Sequence, residues 1–216
     1  MPDVLVATMR GEAVTPNDLV ATAGAFLLYR GLFAFAVGPT PAGDGLAVFR
    51  LGGHRGPEET AAQCAVREIW EEAAVPCKLV AAPASYLLTP VPGGGHDLQP
   101  IDGGAWGPPA PLLVAQKVDA QQAGARQDGS PKVSVTFLAV TPYLPTPAGE
   151  VAGILLLDEH AVRRLTSSSV TLGQFCASGG CALLQRSLDP ALPLKPLAQL
   201  QILPRLLALH PDLAGR

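Results

Sequence analysis

Three glutamates, Glu68, Glu71 and Glu72, stand at spacings of three and four residues within the stretch 53–75. On an α-helix these spacings bring side chains to one face, so the three carboxylates would converge. Their mutual repulsion weakens an isolated helix by roughly a few tenths of a kcal/mol per pair, a cost that a bound cation would offset. Carboxylate oxygens suit Mg²⁺ or Mn²⁺, which also take waters and substrate phosphates as ligands. The pattern therefore predicts a divalent-metal site on a helix.

The residues around the glutamates also favour a helix. Taken at 100° per residue, five apolar side chains form a stripe that we expect to face the core, opposite the acids: Ala62, Val66, Ile69, Trp70 and Ala73. Arg67 lies one turn before Glu71, within reach of an ion pair, and Glu59 precedes or opens the helix. The glycines of the preceding loop, 52–57, allow close approach of the backbone to a ligand. The alternative is an acidic, solvated helix face.

This stretch resembles the Nudix box, Gly-x5-Glu-x7-Arg-Glu-U-x-Glu-Glu-x-Gly-U, in which U is a bulky aliphatic residue. The matching positions are Gly53, Glu59, Arg67, Glu68, Ile69, Glu71, Glu72 and Val75. Ala74 stands where the family has glycine. A left-handed residue is often needed where such a helix ends, and alanine there costs about 1 kcal/mol. We therefore expect this helix to end differently from the family pattern.

The resemblance implies a fold and a reaction. The fold is an α/β/α sandwich, with a mixed β-sheet between helices, over residues 21–165. The reaction is Mg²⁺-dependent hydrolysis, with Mn²⁺ as the alternative ion, of a nucleoside diphosphate linked to another moiety. The resemblance assigns metal binding to Glu71, Glu72 and the Gly53 carbonyl, and a ligand or general-base role to Glu68. Arg67 would orient a glutamate. Family members often take a further catalytic acid from a later loop, for which Glu150 is the candidate and a solvated loop carboxylate the alternative.

Four residues are candidates for contact with the substrate. Arg30, Arg50 and Arg55 could grip phosphates, with a plain surface role as the alternative for each, and His54 lies inside the loop of the box. The substrate itself is weakly specified. Pro90 lies fifteen residues beyond Val75, as in ADP-ribose hydrolases of the family, but the chain has 22 prolines.

We lean to ADP-ribose or a nucleotide sugar, then to nucleoside triphosphates; Tyr86 fits the dinucleoside polyphosphate pattern poorly. A non-catalytic nucleotide-binding module of the same fold is the alternative from another class. Its members generally lose box acids, whereas all are present here, and Ala74 alone favours it. A third alternative is a protein–protein adaptor that uses the leucine-rich tail.

Composition narrows the class of protein. Charged residues make up 15% of the 216 positions and apolar residues 48%, as in a compact globular protein. The net charge of −3 and the pI of about 5.8 give no basic field for nucleic acid or an anionic membrane. We expect no secretory leader and no membrane span, which needs roughly 18 apolar residues. Four cysteines without zinc spacing favour reduced thiols and a cytoplasmic location, with a Cys176–Cys181 disulfide as the alternative.

The remaining pattern divides the chain into an N-terminal segment, 1–20, a hydrolase domain, 21–165, and a helical extension, 166–216. We predict strands over 4–8, 25–37, 46–51, 77–82, 112–117 and 132–142. A turn over 121–131 and a helix beginning at Asp158 are also predicted. Residues 83–110 are rich in Pro and Gly, and we expect a long functional or disordered connection there.

The C-terminal stretch 192–209 is rich in leucine, and Pro204 should break or restart any helix within it. Such a tail either covers the core or forms a homodimer surface. We favour the first role.

Overall fold

Eleven strands form one mixed sheet in the part of the chain that the computed structural model describes, residues 16–91, 95–116 and 132–215. The strands are β1 (Val20–Tyr29), β2 (Leu32–Pro39), β3 (Leu46–His54), β4 (Lys78–Val80), β5 (Ser85–Pro90), β6 (His96–Ile101), β7 (Leu113–Gln116), β8 (Val133–Thr141), β9 (Gly153–Leu157), β10 (Cys181–Leu184) and β11 (Leu194–Pro196). The α-helices are α1 (Ala61–Ala73), α2 (Glu159–Ser167), α3 (Leu172–Ala177) and α4 (Ala198–Leu209). Short 3₁₀ turns occupy Pro16–Leu19, Gly103–Trp106 and Pro211–Leu213.

The centre of the sheet is the pair β1 and β8, which run parallel over their whole length. The main strand order is β10-β9-β2-β3-β1-β8-β7-β5-β6, with β11 added on β3 and β4 on β8. Both central strands are buried on both faces, which explains why they read as continuous apolar runs rather than alternating ones.

Two apolar clusters flank this sheet. One packs α1 against β1 and β3, and the other packs α2 and α4 against the opposite face. The predicted fold class, a mixed sheet between helices in an α/β/α sandwich, is therefore confirmed.

The predicted strand over 25–37 is wrong, because two antiparallel strands, β1 and β2, occupy this region. Arg30 and Gly31 form the turn between them, with φ angles of +50° and +79°. Positive φ at both central residues gives a tight hairpin whose twist matches that of its strands. The turn was not predicted because the residues on both sides of Arg30 are apolar and resemble one continuous strand.

Residues 83–110 also differ from the prediction of a long connection without regular structure. They contain the hairpin of β5 and β6, and β5 also pairs in parallel with β7. Among the described residues of this range, most Pro and Gly lie at strand ends and in turns, where they do not interrupt the ladder. The strands predicted over 46–51 and 132–142 are confirmed, as is the described part of the one over 112–117, whose last residue lies outside the described ranges; the one over 77–82 shortens to β4. The predicted strand 4–8 and turn 121–131 lie outside the described residues.

Helix α2 begins as predicted, because the Asp158 carboxylate accepts a hydrogen bond of 2.7 Å from the backbone N–H of Ala161. Beyond it, the tail adds β10 to β9 and β11 to β3. The break predicted at Pro204 is wrong, since α4 continues through it. Four buried leucines offset the backbone hydrogen bond that proline lacks: Leu200, Leu203, Leu206 and Leu207. The tail thus covers the core, while the division into domains at residue 165 stays a prediction.

Among the described residues, no helix combines the length and apolar character needed to cross a membrane.

Candidate active site

Helix α1 begins at a reciprocal cap. The Thr60 hydroxyl accepts from the Gln63 backbone N–H at 3.2 Å, and the Gln63 side chain accepts from the Thr60 N–H at 2.8 Å. The helix then packs on β1 and β3 through five buried residues: Ala61, Cys64, Ala65, Ile69 and Ala73. This cap and this contact fix the direction in which the glutamates point.

The predicted core stripe is wrong at two positions, because Val66 is 39% exposed and Trp70 is 59% exposed. Glu72 follows Ala65 by seven residues, and Glu68 follows it by three, so both acids share the buried face of α1. The carboxylates of Glu68 and Glu72 therefore turn toward the sheet, whereas Glu71 is exposed.

Glu72 is held against the end of β3. Its Oε2 accepts a hydrogen bond of 2.7 Å from the backbone N–H of Gly52. Burial raises the pKa of the Glu72 carboxyl to about 7, helped by the charge of Glu68 and opposed by the Gly52 N–H. A side chain at Gly53 would put its Cβ 2.5 Å from Glu68 Oε1. Glycine at that position therefore lets Glu68 lie directly against the strand.

Arg67 joins the remaining acids. Its Nε lies 2.6 Å from Glu59 Oε1, and its Nη1 lies 2.8 Å from both Glu68 Oε1 and Glu71 Oε2. Its Nη2 donates to the His54 carbonyl at 3.0 Å. The hydrogen bond from Arg67, with another from the Gly56 N–H, lowers the pKa of Glu59 to about 2. The same pairing, led by Glu59, raises the pKa of Arg67 above its usual value.

The donor set fits a hard divalent cation in its chemistry. It offers three carboxylates and the Gly53 backbone, and a cation would favour the ionised form of the buried Glu72. As the side chains lie, no group of three His, Cys, Asp or Glu residues in the described ranges is gathered closely enough to hold a metal. Arg67 lies between Glu68 and Glu71, so metal binding requires these contacts to open.

Ala74 takes the left-handed conformation, with φ +50° and ψ +32°, and its N–H donates to the Trp70 carbonyl at 3.1 Å. The expectation that α1 ends differently because glycine is missing is therefore wrong. Alanine adopts the backbone conformation that glycine would favour, and the helix ends where the family pattern places its end.

A cavity of about 460 Å³ opens beside the end of β3, and we call it the β3 cavity. Two of the predicted substrate-binding residues line it, Arg50 and His54. Arg50 is not a surface arginine, since it is only 6% exposed. Its guanidinium occupies the space over Gly24 and Gly52, where any Cβ would clash with it. His54, at the end of β3, is exposed.

The structure does not bring the other candidates into this cavity. Arg55 donates instead to backbone carbonyls of its own loop and of β1, the shortest contact being 2.7 Å to Glu59 O. Arg30 lies in the β1–β2 turn, with its guanidinium carbon 5.3 Å from the centre of the Tyr29 ring. It lies six positions beyond Gly24, which is roughly 20 Å along a strand.

Glu150 is exposed, in a segment that packs against the C-terminal end of α1. Two backbone hydrogen bonds join them, from Thr146 N–H to Ala73 O at 2.8 Å and from Ala148 N–H to Glu72 O at 2.9 Å. The segment therefore neighbours the acid-bearing helix through its backbone. Whether Glu150 acts in catalysis stays a prediction.

Several residues of the β3 cavity were not foreseen from the sequence. Ser134 and Thr22 lie on neighbouring strands, and their hydroxyls are 2.9 Å apart. The start of α4 and His96 also line the cavity. These residues lie far from the box along the chain and form no short motif, so only the strand pairing of the fold could have found them.

Comparison with known proteins found no matching family model and no matching curated protein. Solved structures do match. A hydrolase of the NUDIX family from Clostridium perfringens is 13% identical, with 66% of this chain and 83% of that chain covered and a TM-score of 0.40. An Ap4A hydrolase from C. elegans is 17% identical, with 65% and 81% covered and a TM-score of 0.39.

A bifunctional NMN adenylyltransferase/ADP ribose pyrophosphatase from Francisella tularensis is 16% identical, with a TM-score of 0.32. The match covers 68% of this chain but only 35% of that one. Identities and scores this low carry no functional assignment.

Proposed function

We propose that this protein is a Mg²⁺-dependent hydrolase that cleaves the pyrophosphate linkage of a nucleoside diphosphate joined to another moiety. One observation carries the proposal. Glu68 and Glu72 turn toward the glycines of β3, where half-buried Glu72 accepts a hydrogen bond from the Gly52 N–H, and Arg67 links Glu68 to the exposed Glu71. Ionising a half-buried carboxylate that has two acidic neighbours is costly, and a bound cation would offset this cost, so the arrangement favours metal binding over a solvated acidic face.

The roles follow from what each side chain contacts. Glu71, Glu72 and the Gly53 carbonyl would hold the metal, which when bound neutralises phosphate charge and lowers the pKa of a coordinated water. Glu68, next to the Gly53 backbone, is a further ligand or takes the proton of the attacking water. Arg67 is a positioning residue, since it contacts Glu59, Glu68 and Glu71. Glu150 is the candidate for a further acid.

The alternative of a non-catalytic nucleotide-binding module had one supporting feature, Ala74. Ala74 was the departure that favoured a binding module, yet it adopts the conformation that glycine would supply there. All the acids of the box are present. The substrate remains a proposal: we favour ADP-ribose or a nucleotide sugar, with nucleoside triphosphates and dinucleoside polyphosphates as the alternatives.

Partners and location form part of the same proposal. The substrate is a small nucleotide, and the net charge of −3 gives no support for nucleic-acid binding. The four cysteines are all free thiols, which suits a reducing compartment such as the cytoplasm. A homodimer is the alternative use of the leucine-rich tail.

The test is turnover of a substrate panel by the wild type and by Glu72→Gln, with Mg²⁺ and then Mn²⁺. The panel holds ADP-ribose, nucleotide sugars, dinucleoside polyphosphates, NADH, coenzyme A and nucleoside triphosphates, with products read by chromatography. Glutamine can still accept the Gly52 hydrogen bond, so the variant should fold. We expect its turnover to fall by about a hundredfold or more, as when one stabilising group of an active site is removed.

Glu58→Gln is the matched control, because Glu58 is exposed beside the box and has the same charge. It should keep full activity. Activity of Glu72→Gln close to wild type would refute the metal assignment. Silence of the wild type across the panel, with either ion, would favour the nucleotide-binding module.

A further inference from the structure

Arg50 carries a buried positive charge that contacts only neutral oxygens. The residue is 6% exposed, and within the described ranges it forms no ion pair. Its Nη1 donates to the Leu51 carbonyl at 3.2 Å and its Nη2 to Ser134 Oγ at 2.9 Å, whereas Nε has no partner among the described residues. A buried cation without a carboxylate in contact is costly, so the effect of its charge at longer range needs an explanation.

Opposite charges lie close to Arg50 in the proposed metal site. A Cβ on Gly24 or Gly52 would overlap Nη1, so the guanidinium lies directly against the backbone of β1 and β3. The Gly52 N–H in turn donates to Glu72 Oε2 at 2.7 Å. Gly52 therefore connects the two charges, and Nη1 lies within roughly 8 Å of Oε2. Burial lowers the pKa of Arg50 to about 10, opposed first by the charge of Glu72, so the guanidinium is ionised at neutral pH.

Arg50, unlike Arg67, cannot move away when a metal enters. The Arg67 side chain is 34% exposed, so it can turn into solvent as its contacts with the glutamates open. Arg50 is enclosed, and the Ser134 Oγ that it contacts also accepts from Thr22 Oγ1 at 2.9 Å. These hydrogen bonds join side chains of β3, β1 and β8, which are adjacent in the sheet. The charge of Arg50 is therefore fixed in place.

A fixed positive charge acts on every cation that enters the glutamate site. A divalent metal carries two charges and a proton one, so the metal is repelled about twice as strongly as the proton. Arg50 therefore weakens metal binding, even though it also favours the ionised form of the glutamates. The phosphates of a substrate bring negative charge, which offsets the repulsion.

We propose that Arg50 is a fixed counter-charge that keeps the affinity of the glutamate site for a free divalent cation low, so that the metal binds tightly only together with the phosphates of the substrate. Arg50 acts through its field at Glu72 and contacts neither the metal nor the substrate. The identity of the metal site rests on the proposed function. The affinity of the site, in contrast, can be measured without turnover.

The first experiment measures Mn²⁺ binding by the wild type, Arg50→Met and Arg50→Lys, with free Mn²⁺ followed by electron paramagnetic resonance. Methionine removes the charge, whereas lysine keeps it. We expect Arg50→Met to bind Mn²⁺ on the order of tenfold more tightly than the wild type, and Arg50→Lys to bind it as the wild type does. Damage to the site would weaken binding, so tighter binding reports the charge. Equal or weaker binding by a folded Arg50→Met would overturn the proposal.

Arg205→Met is the matched control for the loss of a positive charge. Arg205 is exposed on α4, where water and salt screen its charge, so this variant should bind Mn²⁺ as the wild type does. Glu72→Gln locates the ion, because it should bind Mn²⁺ much more weakly if the ion occupies the glutamate site. Binding that Glu72→Gln leaves intact would overturn both this proposal and the metal assignment.

A second pair of variants decides the matter if Arg50→Met does not fold. Ser134 lines the β3 cavity, so a larger side chain has space there, and Ser134→Asp would pair with Arg50 Nη2 and cancel its charge. Ser134→Asn has the same shape without the charge. We expect Ser134→Asp to bind Mn²⁺ more tightly than Ser134→Asn, and equal affinities would overturn the proposal.

Turnover separates this proposal from the proposed function. The Mn²⁺ concentration for half-maximal turnover is measured for the wild type and Arg50→Met at saturating substrate. The difference between the two proteins should be smaller than without substrate, and an undiminished difference would overturn the coupling to phosphate. Turnover by both proteins with equal Mn²⁺ affinities would refute the role of Arg50 and leave the hydrolase standing. Tighter Mn²⁺ binding by Arg50→Met without turnover of any panel substrate would refute the hydrolase and leave the role of Arg50 standing.

Discussion

An arginine lies on each face of the sheet beside β3, and the two differ in exposure and in hydrogen bonding. On the α1 face, the Arg67 side chain is 34% exposed and its donors reach three carboxylates and one carbonyl. On the α4 face, Arg50 is 6% exposed and leaves its Nε without a partner in the described part of the chain. The Arg67 guanidinium is fully engaged in contacts within the protein, whereas the Arg50 guanidinium has one N–H donor without a partner in the described ranges.

We expect the two faces to contribute differently to the stability of the fold and to its function. An exposed network of ion pairs contributes little to the free energy of unfolding, because water solvates the same charges and screens them. The apolar surroundings of the α4 face contribute far more through burial. The α4 face should therefore govern folding, whereas the α1 face should govern chemistry and tolerate substitution with small losses of stability.

The largest expected effect comes from removing the tail after Leu165. The chain would lose β10, β11 and α4, so that β3, β9 and one apolar cluster would be uncovered. We expect the truncated protein to lose cooperative unfolding, measured by circular dichroism and calorimetry. Removal of Gly215 and Arg216 alone should change neither signal. A soluble, active truncation would instead show that residues 166–216 form a dispensable unit.

A single substitution on the same face should have a smaller effect. Leu203 is completely buried in α4, and Leu203→Ala should lower the free energy of unfolding by about 2–5 kcal/mol through lost burial and a cavity. Leu209, in the same helix, is 51% exposed, so Leu209→Ala should cost about 0.5 kcal/mol or less. Chemical denaturation measures both. Equal losses at the two positions would contradict the assignment of this face as core.

On the α1 face, Glu59→Gln weakens the Arg67 network and should cost only about 1 kcal/mol. The pKa of Glu59 is lowered from 4.5 to about 2, so its charge stabilises the fold fully above pH 4.5 and loses this effect as the pH falls through about 2. The difference in stability between wild type and variant should shrink over that range. Urea denaturation at a series of pH values tests this, with Glu58→Gln, at an exposed glutamate next to Glu59, as the matched control. A difference that does not change with pH would rule out the ion pair as its source.

Much of the α1 face could be predicted from the sequence, because its information is local. The residues from Gly53 to Glu72 lie within one loop and one helix, so their spacing alone placed the acids together. The error concerned which face of α1 is buried, because the prediction placed the core-facing stripe opposite the glutamates. The predicted stripe included Val66 and Trp70 and left out the smaller residues Ala61, Cys64 and Ala65, which the structure buries.

The α4 face could not be predicted, because its parts come from distant segments. Arg50 and Ser134 are 84 residues apart in the chain, and their contact depends on the order β3-β1-β8 in the sheet. The hairpin turn at Arg30 was also missed, because it lies within a run of apolar residues. Such positions follow from strand pairing, which residue spacing does not encode.

The smallest expected effect lies at the end of α1. Ala74 has φ +50°, a conformation that costs an alanine about 1 kcal/mol and a glycine little. Ala74→Gly should therefore raise the free energy of unfolding by about 0.5–1 kcal/mol, with part of the gain offset by the greater freedom of glycine in the unfolded chain. Ala62→Gly, within the same helix, should lower it by about 1 kcal/mol. Thermal denaturation of both variants is decisive, because a loss of stability in Ala74→Gly would show that α1 does not end in the left-handed conformation.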